Sequence, residues 1–246
     1  MQVNMYYDQY ETGLVSARSK FSDRVQAFSN EKDPRRLLMF WLNFSSFGVA
    51  NTEFVEDWIR RAGQRTCELG YEALGDKLIK HAVHEKNHHL MMVKDTHGLV
   101  SLWNQDYAPP YLSAEKLLAR KPLASSLAYQ KLHEDCIQSE FPFAQIAIEY
   151  EIERLAVSHG HIWTKNVLSA LGEGIASNLT FIFDHVEIDQ AHTVYNRSAL
   201  NEFVGQYPET VEKLIETGSL ALNIFGTFLN DCYEHVESFE ESLQVA

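Results

Sequence analysis

Apolar residues recur every three to four positions along most of the chain, the spacing of helices packed through one face. They do not alternate as half-buried strands would, and no hairpin signal such as Asn-Gly or Asp-Gly joins alternating segments. A first helix is expected over about Thr12 to Ser29, which leaves Tyr6, Tyr7 and Tyr10 in an N-terminal tail. Asp33-Pro34 has the form of an N-cap followed by proline at the first helical position. The helix it opens carries Leu37-Leu38-Met39-Phe40-Trp41-Leu42, apolar on every side and hence central. Gly48 and Asn51-Thr52 predict a restart through Glu53, Trp58 and Arg61, and Gly70 and Gly75 an interruption. A long His-rich helix is then expected from about Glu72 to His97, stopping at Gly98. Asn104 to Leu112, with Pro109-Pro110, is the clearest loop. Ser113 starts another helix, broken at Lys121-Pro122 and near Phe141-Pro142. Pro142 opens a helix holding Ile146 to Ser158, which His159-Gly160 closes. After Leu171-Gly172-Glu173-Gly174 comes a helix ended by Tyr207-Pro208, and two more follow. The pattern predicts an all-α bundle of about eight to ten helices.

No linker-like tract and no solenoid-length repeat divides the 246 residues, so one domain over 1–246 is expected. The formal charge of −13 argues against a nucleic-acid partner, which needs clustered Lys and Arg. Cys67, Cys136 and Cys232 form no CxxC pair, which fits free thiols and a cytoplasmic location. No secretory leader is read at the N-terminus, and no apolar run approaches the roughly 20 residues that span a bilayer.

Candidate chemistry concentrates in His185-Val186-Glu187-Ile188-Asp189-Gln190-Ala191-His192. Residues four and seven apart share a helix face, so His185, Asp189 and His192 point the same way. His81, His84, Glu85 and His88 repeat the spacing. Two imidazole and carboxylate faces in an all-helical chain suggest a carboxylate-bridged metal pair, as in bundle proteins that bind di-iron through Glu-x2-His elements. Glu85–His88 has that form, and Asp189–His192 has it with Asp. The helix after Pro142 offers a further carboxylate from Glu149, Glu151 or Glu153. Helical phase favours Glu151, which shares a stripe with Ala144, Ile148 and Leu155. Carboxylate and neutral imidazole suit Fe(II) and Mn(II) and do not separate them. The plainer alternative is an exposed, salt-bridged helix face. Ile182, Ile188, Ala191 and Val194 argue instead for a helix buried on most sides. Individually, His81, His84 and His89 read as surface or hydrogen-bonded histidines.

On these residues the chain resembles the haem-oxygenase-like di-metal oxidases, which include the chlamydial CADD protein, a fatty-acid decarboxylase and the N-oxygenase domain of nitrosourea biosynthesis. The resemblance spans about Phe40 to Leu200 and implies the up-down helical bundle of TenA and PqqC proteins. The family's His-x3-Asp/Glu-x2-His element is matched by His185, Asp189 and His192, and its lone Glu maps best to Glu151. Its first element maps to His88, with the carboxylate at Glu85 as in the alkene-forming branch. In the CADD branch the carboxylate stands seven before the histidine, where this chain has His81, so either Glu85 or His81 completes that site. The resemblance implies two iron ions (manganese being the alternative), a small organic or fatty-acid-like substrate, dioxygen and a homodimer. His88 and His192 would then ligate different ions, with His185 a further terminal ligand. Two rival readings are a TenA-like hydrolase using Cys136 and a CADD-like interaction protein without catalysis.

Overall fold

The computed structural model describes residues 5–244, with side chains through residue 239. The described residues form an all-α bundle without strands. Its helices are α1 (Met5–Arg24), α2 (Gln26–Ser29), α3 (Pro34–Thr52), α4 (Val55–Glu68), α5 (Glu72–Ala82) and α6 (His88–Asp106), followed by α7 (Ala114–Leu118), α8 (Ala124–Gln138), α9 (Gln145–Leu155), α10 (His161–Leu171), α11 (Thr180–Gln206) and α12 (Val211–Gln244).

The Asp33 carboxylate accepts from the backbone N–H groups of Arg35 and Arg36, and α3 is buried at every position from Leu37 to Gly48. It is the central helix that its apolar run predicts. It lies against α6 on one side and α12 on another. α12 also packs along α1, α8 and α9, and α9 is held between α11 and α12. α4 pairs with α5.

Several expected boundaries move. α1 begins at Met5, and Tyr7 and Tyr10 are buried core residues rather than a tail. The Tyr7 and Tyr150 hydroxyls share a hydrogen bond of 2.8 Å, and Tyr10 donates to Glu151 Oε1 at 2.9 Å. Gly48 and Gly98 lie inside α3 and α6 instead of ending helices. A side chain at Gly48 would meet Met92 Sδ at 2.6 Å, and one at Gly98 would run into the Asn178 side chain. Both glycines are spacers for close packing. A single α12 stands where two helices are expected.

Two interruptions bear on function. The His-rich segment is not one helix: a 3-10 turn over Val83–Glu85 follows α5, and Asn87, at φ 68°, takes the left-handed conformation that Asn tolerates better than most residues. α6 therefore starts afresh at His88. The rod begun by α9 does not close at His159-Gly160. It passes through a π-helical bulge over Ala156–Gly160 and continues as α10. Bulges of this kind are frequent at functional sites.

α11 has no cap from its own chain neighbours. Buried Asp95 of α6 supplies one, accepting from Thr180 N (2.9 Å), Thr180 Oγ1 (2.8 Å) and Phe181 N (2.9 Å). Asp95→Ala removes a charge-assisted cap worth about 2 kcal/mol, which corresponds to a Tm drop of about 4–8 °C in a chain of this size. Thermal and denaturant unfolding will measure it, and an unchanged Tm would mean that the cap is dispensable.

Candidate metal centre

Three segments converge: the α5–α6 elbow, α9 and α11. The elbow presents His81, Glu85 and His88, α9 presents Glu153, and α11 presents His185, Asp189 and His192. One ligand atom from each of His81, Glu85, Glu153 and His192 lies within 4.8 Å of the others, and the same holds for Glu85, His88 and His185. Glu85 belongs to both groups, and its two oxygens divide between them. Oε1 is 3.8 Å from His81 Nε2 and 3.7 Å from His192 Nδ1, while Oε2 is 2.9 Å from His88 Nδ1. His81 Nε2 is 2.9 Å and His192 Nδ1 3.5 Å from Glu153 Oε1. His185 Nε2 is 3.2 Å from His88 Nδ1.

The surroundings orient these groups. The opposite ring nitrogen of His185, Nδ1, lies 2.7 Å from the Phe181 carbonyl and donates to it, which leaves Nε2 with its lone pair toward His88. Asn196 Nδ2 donates to Glu153 Oε2 at 2.6 Å and leaves Oε1 facing the imidazoles. His81 Nε2, Glu153 Oε1 and His192 Nδ1 are all buried, and none makes a hydrogen bond of good geometry. Buried polar atoms without such bonds are costly. Three of them facing one another, all nitrogen and oxygen donors, fit a divalent cation of the Fe or Mn type.

Electrostatics agree. Before a cation binds, protons neutralise the carboxylates. Burial pulls His81 down, but Glu153, then Glu149 and Glu85, lift it to about 9. Asp189 and Glu153 lift His192 to about 10 against its burial. Glu85 works against burial too, and His88, then His81 and His185, hold it at about 2. Burial raises Asp189 to about 7 and Glu149 to about 8, and with the nearby His88 it lowers His185 to about 4.

A part-open space of about 110 Å³ adjoins the cluster. Glu85, Glu153, His185 and Asp189 form one wall, and the rest is largely apolar, with Phe44, Met92, Phe181 and Phe228.

Of the residues expected from sequence, Glu85, His88, His185 and His192 fall in the two groups, and His81 joins Glu85 rather than replacing it. Asp189 stands beside them, its Oδ1 3.4 Å from His192 Nδ1. Glu151 lies elsewhere. Although only 1% exposed, its carboxylate turns toward α1, where Arg18 Nη2 (2.7 Å), Arg18 Nε (2.9 Å) and Tyr10 occupy both oxygens. Glu153, two residues on and therefore on a nearly opposite face, takes the place expected for it. α9 is buried almost all round, so its apolar stripe does not identify the inward face. A usable signal was the pair Glu149 and Glu153: like charges four apart repel on a helix, and burying both requires a cation or a proton. Asn196 carried no signal of its own. The outer face of α11 is also more open than expected, with Ile188 39% and Val194 68% exposed and Ala191 exposed as well. His84 is exposed, its ring edge-on to His192.

The Cys136 hydrolase reading finds no support. Burial pushes the thiol up to about 12 although Lys213 opposes it, and the hydrogen bonds of Sγ go to the carbonyls of Phe141 and Pro142. His133 is bonded to Gln145 and held neutral by burial, and Glu134 is paired with Arg61.

No protein-family model matches the chain, and no curated protein does. Among solved structures it is similar to a domain of unknown function with a haem-oxygenase-like fold from Shewanella denitrificans OS217, at 16% identity and a TM-score of 0.69, over 96% of this chain and 91% of that one. The chain therefore has the haem-oxygenase-like fold.

Glu153→Gln should reduce bound metal to one ion or fewer per chain. Glu151→Gln should keep the metal but lower Tm, because it breaks a buried pair with Arg18. Elemental analysis with thermal unfolding separates the two, and loss of metal from a folded Glu151→Gln chain would restore Glu151 as a ligand. Cation binding near pH 7.5 should also release about two protons, those of His81 and His192. Release should fade as pH rises through about 9 and 10, where the imidazoles are already neutral. The same raised values stabilise the cation-free fold fully below the ordinary 6.5, a contribution lost through that upper range. Calorimetry in buffers of different ionisation heat counts the protons, and a count near zero contradicts the charged imidazoles.

Proposed function

We propose that this chain is a non-haem di-metal oxidase or oxygenase that uses dioxygen to oxidise a small organic substrate. The observation that carries the reading is Glu85, whose two oxygens serve two separate histidine-bearing groups. So placed, Glu85 would help to hold a pair of ions rather than one. His81, Glu153 and His192 would hold one ion and His88 and His185 the other, with Asp189 in reserve beside His192. Iron is the preferred metal and manganese the alternative, since the donor set suits both.

Two such ions, when bound, supply the electrons for dioxygen reduction and the oxidising power for C–H abstraction, C–C cleavage or N-oxygenation. The chain's own residues do the rest. Asn196 and the Phe181 carbonyl hold Glu153 and His185 in position. Phe44, Phe181 and Phe228 give an apolar lining to the space where a substrate would sit. In the cation-free chain Glu149, raised to about 8 by burial, holds a proton on its carboxyl in that wall at neutral pH.

Anaerobic reconstitution with Fe(II) should give close to two irons per chain and substrate-dependent dioxygen uptake. Glu85→Ala should lose both ions and lower uptake by more than about tenfold. A Glu85→Ala chain with two irons and full uptake would sink the proposal.

A further inference from the structure

The cavity beside the cluster has one wall feature that the metal does not explain. Asn51, on the last turn of α3, is part of that wall and is 3% exposed. Neither Nδ2 nor Oδ1 has a hydrogen-bond partner. Its neighbours are satisfied: Thr52 Oγ1 donates to the Gly48 carbonyl at 3.0 Å, and the Ala50 carbonyl accepts from Gln130 Nε2 at 2.8 Å. A leucine would fill the position without leaving a buried amide unbonded, so the amide has a cost that calls for a return elsewhere.

We propose that Asn51 is the substrate-recognition residue of this cavity, selecting a compact, uncharged molecule whose polar group both donates and accepts a hydrogen bond. The inference rests on the oxidase reading for the word substrate, and on the geometry of Asn51 for the rest. A primary amide offers a donor and an acceptor side by side, and a carboxamide complements it with both bonds formed. Charge sets the second limit. No Lys or Arg stands in the wall, while Glu85, Glu149, Glu153 and Asp189 do. No cationic side chain is therefore at hand in the wall to pair with an anionic headgroup. Volume sets the third. The space of about 110 Å³, against about 150 Å³ for an apolar cavity that takes up benzene, favours a molecule no larger than one substituted ring over a long acyl chain.

Binding of benzamide, benzoate and toluene to the full-length, metal-loaded chain under anaerobic conditions tests this, by calorimetry or ligand-observed NMR. Wild type should bind benzamide about tenfold or more tighter than toluene or benzoate. Asn51→Leu should abolish that preference while keeping toluene, and should raise Tm because the unbonded amide is gone. Asn51→Ala, which enlarges the cavity without adding bulk, should lose the preference too. Equal affinity for benzamide and toluene in wild type, unchanged benzamide binding in both variants, or benzoate binding as tightly as benzamide would overturn the proposal. Dioxygen uptake is measured separately. Benzamide binding that depends on Asn51 in a chain without uptake refutes the oxidase reading alone.

Discussion

Carboxylates crowded into a dry interior repel one another, and something positive must lie among them. Glu85, Glu149, Glu153 and Asp189 gather in the middle of this bundle within reach of one another's charge. Histidines of the α5–α6 elbow and of α11 stand among them, and His81 and His192 take up protons to balance the excess. The rest of the architecture serves that arrangement. Asp95 ties α6 to the start of α11, so two ligand-bearing helices are fixed at one point. α9 is clamped between α11 and α12, which sets the rotation that turns Glu153 inward.

The same helix shows how one buried carboxylate differs from another. Glu151 and Glu153 are almost equally hidden, yet Glu151 meets a guanidinium and a phenol while Glu153 meets two imidazoles. Arg18 cannot leave its pair or give up its charge, so Glu151 is committed to holding α1 in place. Imidazoles can give up protons to an incoming cation, and only the Glu153 side is open to exchange. Structural and chemical roles thus sit two residues apart and are distinguished by what faces each.

The helical class and the shared face of the α11 candidates were legible in sequence because a 3.6-residue period carries both. His185, Asp189 and His192 needed nothing beyond one turn of geometry. Which α9 carboxylate faces the cluster was not legible, since a helix buried on nearly every side gives no contrast between faces. Its resolution depended on Tyr10 and Arg18 of α1, more than a hundred residues away and partly assigned to a tail. The α5–α6 elbow was hidden for a local reason. His81, Glu85 and His88 would share a face in an unbroken helix as well, so spacing alone does not reveal the turn, and only the left-handed tolerance of Asn87 marked it. Gly48 and Gly98 misled in the opposite sense, as packing spacers that read like stops.

The bulge between α9 and α10 inserts slack into a rod whose two halves answer to different neighbours. Upstream, Glu153 is phased by α11. Downstream, Trp163 donates to Ser29 Oγ and Asn166 to the Glu31 carbonyl, contacts that belong to the far side of the bundle. Removing one residue from 156–160 would restore regular winding, and because five π-wound residues turn the rod about as far as four α-wound ones, the segments on either side would keep nearly the same facing. What the extra residue adds is a local widening of the rod, and it falls where Gly160 lets Val186 of α11 pack close.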